Sequence, residues 1–128
     1  MDEVSFEKRI YYHDTDCGGV VYYANYLKHL EEARTEFFSG RGVDLKKMAE
    51  NGTFFVVARV EIEYKSPAQY QDILRILTRA EKVRATALRF SQRILKNDVT
   101  VVEAKTVLVC VDRNFRPRPL PEEVAESL

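Results

Sequence analysis

Hydrophobic and polar positions change period along this chain, and each change marks an element. Over residues 6–12 they alternate imperfectly, with Phe6, Lys8 and Ile10 opposite Glu7, Arg9 and Tyr11, which predicts a first strand. From residue 24 to about 40 the period becomes helical. Tyr26, Leu30, Ala33 and Phe37 form one apolar stripe, widened by Leu27 and Phe38, with Lys28, His29, Glu32 and Glu36 on the outer face. Asn25 is the expected N-cap, and Gly40 and Gly42 are the expected stops. Residues 43–51 form a short second helix in this reading. Ala58, Val60, Ile62 and Tyr64 then alternate with Arg59, Glu61, Glu63 and Lys65, the cleanest period-two segment of the chain, until Ser66-Pro67 ends it. Strands are predicted over 73–83, 88–95 and 99–111, with Lys96-Asn97-Asp98 as a hairpin turn. Residues 114–121 are a Pro- and Arg-rich tail, with one helical turn after Pro121.

These elements add up to an α+β domain over residues 1–128: a strand, a long helix, then a meander of four strands. One helix cannot cover both faces of a five-stranded antiparallel sheet, and long edge strands need a partner. The sheet is therefore expected to wrap around the helix, and two copies of the chain to pair edge to edge.

Composition narrows the partners. Twenty basic and twenty acidic residues cancel, so neither nucleic acid nor an acidic membrane surface is expected as a partner. An anionic ligand has to be met by a local basic cluster. Cys17 and Cys110 are too few for a disulfide framework or a thiolate metal site. Met1-Asp2-Glu3-Val4 lacks the basic and apolar regions of a leader, and no apolar run approaches the roughly 20 residues of a transmembrane span. A cytoplasmic protein without a transmembrane segment is expected.

The candidate chemistry sits in Tyr12-His13-Asp14-Thr15-Asp16-Cys17-Gly18-Gly19-Val20-Val21-Tyr22-Tyr23-Ala24-Asn25-Tyr26. Asp16 stands at a glycine turn just ahead of the helix. A helix N-terminus offers unpaired N–H groups and partial positive charge. A carboxylate facing such donors can attack a carbonyl, or deprotonate a water that does, while the donors hold the oxyanion. The alternative for Asp16 is structural: a turn aspartate bonding its own backbone ahead of Gly18. His13 and Asp14 do not have a metal-ligand spacing, so no metal is expected. Cys17 lacks a histidine partner in the manner of a triad, and Cys110 reads as strand packing.

This run, followed by Glu31-Glu32-Ala33-Arg34, resembles the signature of hotdog-fold acyl-CoA thioesterases. It is most similar to the 4-hydroxybenzoyl-CoA thioesterase family, and within that to the subfamily associated with the Tol–Pal envelope system (YbgC-type). Lys65-Ser66-Pro67-Ala68 and Arg118-Pro119 through Pro121 also fit, so the similarity runs nearly the whole chain. The resemblance implies a long helix wrapped by a five-stranded antiparallel sheet, a homodimer with a continuous sheet and often a homotetramer, and active sites at the subunit interface. It implies hydrolysis of short-chain or aromatic acyl-CoA, with coenzyme A part of the substrate and no separate cofactor.

Asp16 matches the family's catalytic aspartate, as nucleophile or general base. Tyr23 matches the position whose backbone N–H faces the thioester oxygen, where the YbgC-type subfamily usually has His and the hydroxybenzoyl branch Tyr. Val21, Tyr22, Asn25 and Tyr26 fall around it as substrate-binding positions; the plainer roles are aromatic packing for Tyr22 and capping for Asn25. Glu31 matches an acidic position that reaches the acyl group's polar tail, or else it pairs with Arg34. Arg84 matches an arginine that meets the nucleotide end, and Lys65 is a further cationic candidate. Acyl carrier protein is a candidate partner. Two other readings remain open: a non-catalytic module binding acyl-CoA or acyl carrier protein, and a dehydratase acting on hydroxyacyl thioesters. The dehydratase chemistry wants a histidine where this chain has Tyr23.

Overall fold

Strands and helices form where the periods change, with boundaries adjusted by long-range contacts. The computed structural model describes residues 3–128. The reading of a leaderless start falls in part on Met1 and Asp2, which lie outside them.

Strand β1 (Val4–Arg9) half-buries Phe6 and Lys8 and exposes the residues between, as the alternation predicts. It ends before Tyr12 because Tyr12–Asp14 coil into a 3-10 turn, and the Asp14 carboxylate takes the Tyr11 N–H at 2.8 Å. Helix α1 (Asn25–Gly40) buries the predicted stripe of Tyr26, Leu30, Ala33, Phe37 and Phe38. Three expectations about this helix fail. Leu27 stays exposed. His29 lies on the buried face, three residues after Tyr26 and four before Ala33, so helical spacing turns it inward. Asn25 is the first helical residue rather than the cap; Ala24 occupies the cap without a side-chain bond, and Asn25 Nδ2 instead donates to the Asp14 carbonyl at 2.9 Å. Helix α2 (Leu45–Glu50) follows, capped by Asp44, whose Oδ1 accepts from the Lys47 N–H.

The remaining strands are β2 (Phe54–Tyr64), β3 (Ile73–Arg84), β4 (Ala87–Lys96) and β5 (Val99–Val111). The sheet order is β1-β3-β4-β5-β2, antiparallel throughout. The predicted four-strand meander is therefore corrected: only β3, β4 and β5 are joined as hairpin neighbours, while β2 crosses to the far edge beside β5. A two-to-five-residue turn is needed to fold a strand back on itself. The stretch after Tyr64 is longer and is pinned elsewhere, Val20 bridging to Gln69, the Val21 N–H donating to the Ala68 carbonyl, and Ile10 exchanging backbone bonds with Gln71 and Asp72. At the β4–β5 hairpin both Asn97 and Asp98 have positive φ, 48° and 70°, the geometry that two-residue hairpin loops need. The tail ends in α3 (Glu122–Ser127), which buries Val124.

The helix-facing side of the sheet forms two cores. Tyr26, Leu30 and Ala33 of α1 meet Leu74, Ile76, Ile94 and Val102. Phe37 and Phe38 meet Leu88, Phe90, Leu108 and Cys110, closed by Met48, Leu120 and Val124. β2, the best-alternating segment, is an edge strand that α1 covers only in part, at Phe55 and Ile62, so Val57, Val60 and Tyr64 remain exposed. No helix among the described residues is long and apolar enough to cross a membrane.

Candidate active site

Asp16 sits in a tight turn held by its own backbone. Its N–H donates to the Val20 carbonyl at 3.0 Å, its carbonyl accepts from the Gly19 N–H at 3.0 Å, and its Oδ1 accepts from the Gly18 N–H at 2.8 Å. The turn needs glycine: Gly19 has φ of +83°, and a Cβ on Gly18 would stand 3.1 Å from Asp16 Oδ1. The structural role foreseen for Asp16 is thus real, but it occupies one carboxylate oxygen of an exposed residue and does not remove the group from solvent.

The same loop delivers the start of α1. Thr15 bridges to Val21, and the Tyr22 N–H donates to the Asp14 carbonyl at 2.9 Å. Tyr22, Tyr23 and Ala24 then turn into the helix, the Asn25 N–H closing on the Tyr22 carbonyl at 2.8 Å. Among the described residues, the Tyr23 and Ala24 N–H groups donate to no backbone carbonyl. They are the unpaired donors that a helix start presents. Tyr22 and Tyr23 pack ring to ring at 4.9 Å, and Tyr64 Oη donates to the Tyr23 carbonyl at 3.2 Å. The Tyr22 hydroxyl is held above its ordinary pKa, mainly by Tyr23 beside it, with smaller contributions from burial and from the negative charge of Asp16. Burial pushes the Tyr26 hydroxyl up to about 12, so it stays protonated across the working range.

A cleft of about 300 Å³ opens beside this turn, lined by Val21, Tyr23, Tyr26, Tyr64, Lys65 and Pro67 among others. Val21, Tyr23, Tyr26 and Lys65, all candidates from the sequence, are brought together here, and Tyr22 and Asn25 adjoin them through the loop. Tyr64 belongs with them but was not singled out; its place in an alternating strand gave no signal beyond packing. A larger cavity of about 520 Å³ lies elsewhere, among charged residues such as Glu61, Glu63, Arg79, Arg93, Glu103 and Lys105. It lacks the helix-start donors.

Asp16 does not line the cleft itself but stands in the turn that leads to Val20 and Val21. Two further candidates are not brought to the cleft within one chain. Glu31 accepts from Thr35 Oγ1 at 2.6 Å and borders a separate depression with Phe6, Lys8, Glu32 and Glu36. Arg84 sits at the β3–β4 turn, opposite Ala87, which pairs with Val109 of β5, whereas Tyr64 pairs with Val102. Seven residues of strand separate those two levels, about 23 Å along the sheet. Arg84 does have basic company: the tail binds beside it, the Leu120 N–H donating to Ala85 and the Arg118 N–H to Cys110, whose own N–H donates to Thr86. Met48 and Phe55 belong to the core, Phe55 stacked on Phe38 at 5.8 Å. Among the described residues no cluster of three or more His, Cys, Asp or Glu side chains is arranged to hold a metal ion.

Residues 11–128 match the family model described as the thioesterase-like superfamily. The acyl-CoA thioester hydrolase YbgC of Escherichia coli is 40% identical over 118 residues, covering 91% of this chain and 88% of that protein. The 1,4-dihydroxy-2-naphthoyl-CoA hydrolase of Synechococcus elongatus is 30% identical over 131 residues, covering 100% of this chain and 96% of that protein. In fold, the crystal structure of a 1,4-dihydroxy-2-naphthoyl-CoA thioesterase from Synechocystis superposes with a TM-score of 0.94 at 22% identity, covering 98% of this chain and 95% of that one.

Proposed function

From the premise that this chain belongs to the thioesterase-like superfamily, with the hotdog fold, we propose that it hydrolyses acyl-CoA thioesters with Asp16 as the reacting carboxylate and the helix-start N–H at Tyr23 as the oxyanion donor. The observation that carries this is the pairing of an exposed carboxylate with unpaired backbone donors across one short loop. The thioester carbonyl carbon takes a new bond to oxygen, either from the Asp16 carboxylate or from a water whose proton passes to it. The negative charge that develops on the carbonyl oxygen is met by main-chain N–H groups already in place. The C–S bond then breaks and the coenzyme A thiolate leaves; where Asp16 itself has attacked, water then hydrolyses the acyl–Asp16 anhydride, which frees the acid and restores the carboxylate. No cofactor is needed beyond the coenzyme A of the substrate, and short-chain or aromatic acyl groups are the proposed acyl class.

The proposed assembly is a homodimer built on the uncovered edge of β2, with a homotetramer as its next level. Eleven residues of β2 present one unpaired side, beside exposed Val57 and Val60. Antiparallel pairing of two β2 edges lays the Phe54 end of one copy beside the Tyr64 end of the other. That brings the end of the sheet carrying Arg84 and Arg118 toward the opposite cleft, where phosphates of coenzyme A need cations. Glu31 and Arg84 join the site only by such a route. The cytoplasm is the proposed compartment, and acyl carrier protein a proposed alternative carrier of the acyl group.

Free-thiol release is measured over acyl-CoAs from acetyl to palmitoyl, with benzoyl and hydroxybenzoyl, for the wild type and Asp16→Asn. Asp16-dependent release supports the proposal and identifies the acyl class. Binding of acyl-CoA without release would replace it with the non-catalytic binding module, and hydration or dehydration of hydroxyacyl thioesters with the dehydratase.

A further inference from the structure

Next to this loop lies a buried cluster that the proposed chemistry does not use. His29 is 2% exposed. Its Nε2 stands 3.5 Å from Asp14 Oδ1, and its Nδ1 stands 3.6 Å from Glu32 Oε1. Among the described residues neither ring nitrogen makes a hydrogen bond, and neither does Glu32 Oε1. The other charged and titratable groups facing the cluster are Lys8 of β1, with Nζ 3.2 Å from Glu32 Oε1, His13, with Nε2 3.9 Å from Asp14 Oδ1, and Tyr26, its ring edge-on to His29 at 6.4 Å. A neutral imidazole has one N–H and presents a lone pair at the other nitrogen, so it can serve one of two flanking carboxylates. An imidazolium donates to both. Burial holds His29 below its ordinary pKa, Lys8 adding to this, while Asp14 and Glu32 pull the other way. The ring is therefore neutral at neutral pH and takes its proton in acid.

Asp14 connects this cluster to the site. Its Oδ2 holds the Tyr11 N–H at 2.8 Å, and its carbonyl holds the Tyr22 N–H and Asn25 Nδ2, each at 2.9 Å. Those bonds brace both sides of the oxyanion turn, two residues from Asp16. We propose that His29 is a positioning residue that works through Asp14: protonation of its ring draws the Asp14 carboxylate onto Nε2 and displaces the loop that carries Asp16 and the Tyr22–Asn25 turn, lowering turnover in mild acid. This rests on the hydrolase reading above. A charge-assisted N–H···O bond closes to about 2.8 Å, some 0.7 Å shorter than the observed gap, and a misplacement of about 1 Å can cost on the order of 100-fold in rate.

The chain has only two histidines, so His13→Gln leaves His29 as the one imidazole in an NMR titration. The expected result is a midpoint below the ordinary value of about 6.5, lowered further in Glu32→Gln and in Asp14→Asn because each removes a favourable anion. The Asp14 and Tyr22 amide shifts should follow the same midpoint. In parallel, kcat of the wild type should fall about tenfold across it with KM little changed. His29→Phe, which fills the same space without a proton to gain, should lose that step. A His29 ring that does not titrate above about pH 4, loop amides that ignore it, or a folded His29→Phe that keeps the step would each overturn the proposal. Thiol release absent at every pH would overturn the hydrolase reading instead, and the NMR arm would then decide the His29–Asp14 coupling by itself.

Discussion

At the scale of single residues, Asp16 has a turn bond and a proposed catalytic role, which one substitution separates. Asparagine keeps an oxygen for the Gly18 N–H and loses the charge, so Asp16→Asn should lower kcat by at least about 100-fold while the melting temperature is unchanged. Alanine removes the turn bond as well, and Asp16→Ala should add a loss of about 1 kcal/mol in urea unfolding. Tyr23 makes the opposite case. Its proposed contribution is a main-chain N–H, and its carbonyl, not its hydroxyl, is what Tyr64 binds. Tyr23→Phe should therefore keep kcat within about threefold, and a loss near 100-fold would mean that the phenol takes part in proton transfer. The turn at Asp16 and Gly18 was legible in the sequence because a glycine turn ahead of a helix is a local feature, whereas Tyr23 was singled out by the resemblance. His29 was not, because a histidine among Lys28, Glu31 and Glu32 reads as surface until the loop of Asp14 folds over it.

Individual elements were legible where their period was strong, and less so where a neighbour decides the boundary. Residues 99–111 form the predicted strand to the residue, while β1 stops three residues early because Asp14 captures the Tyr11 N–H. The Asn97-Asp98 turn holds two non-glycine residues at positive φ. Asp98→Gly should relieve that strain and stabilise the fold by about 0.5–1 kcal/mol in urea unfolding, since the Arg75 contact it loses is 3.5 Å long and exposed. A net loss of stability would show that this contact outweighs the backbone strain.

The whole molecule adds what no element contains, namely edges and a buried ionisable cluster. The uncovered β2 edge predicts a dimer by size exclusion with light scattering, and Val60→Lys, which sets a charge on the exposed apolar face, should weaken it; a stable wild-type monomer would refute the arrangement. His29 links stability to pH. Its folded-state pKa is depressed, so between that value and about 6.5 the unfolded chain binds more protons and stability falls as pH falls. The melting temperature should drop as pH falls below about 6.5, and His29→Phe should flatten that drop.

By itself the sequence determined the helix, its apolar stripe, the turn chemistry around Asp16 and the family resemblance. Each depends on residues close together in the chain, where spacing alone dictates which side chains share a face. Only the tertiary structure decided that β2 crosses to the far edge, that Arg84 lies toward the opposite end of the sheet from Tyr64, and that His29 is buried between two carboxylates. Those are set by which distant segments bury one another, and the free energy that selects them comes from apolar area and backbone hydrogen bonds shared between segments, which no local period encodes.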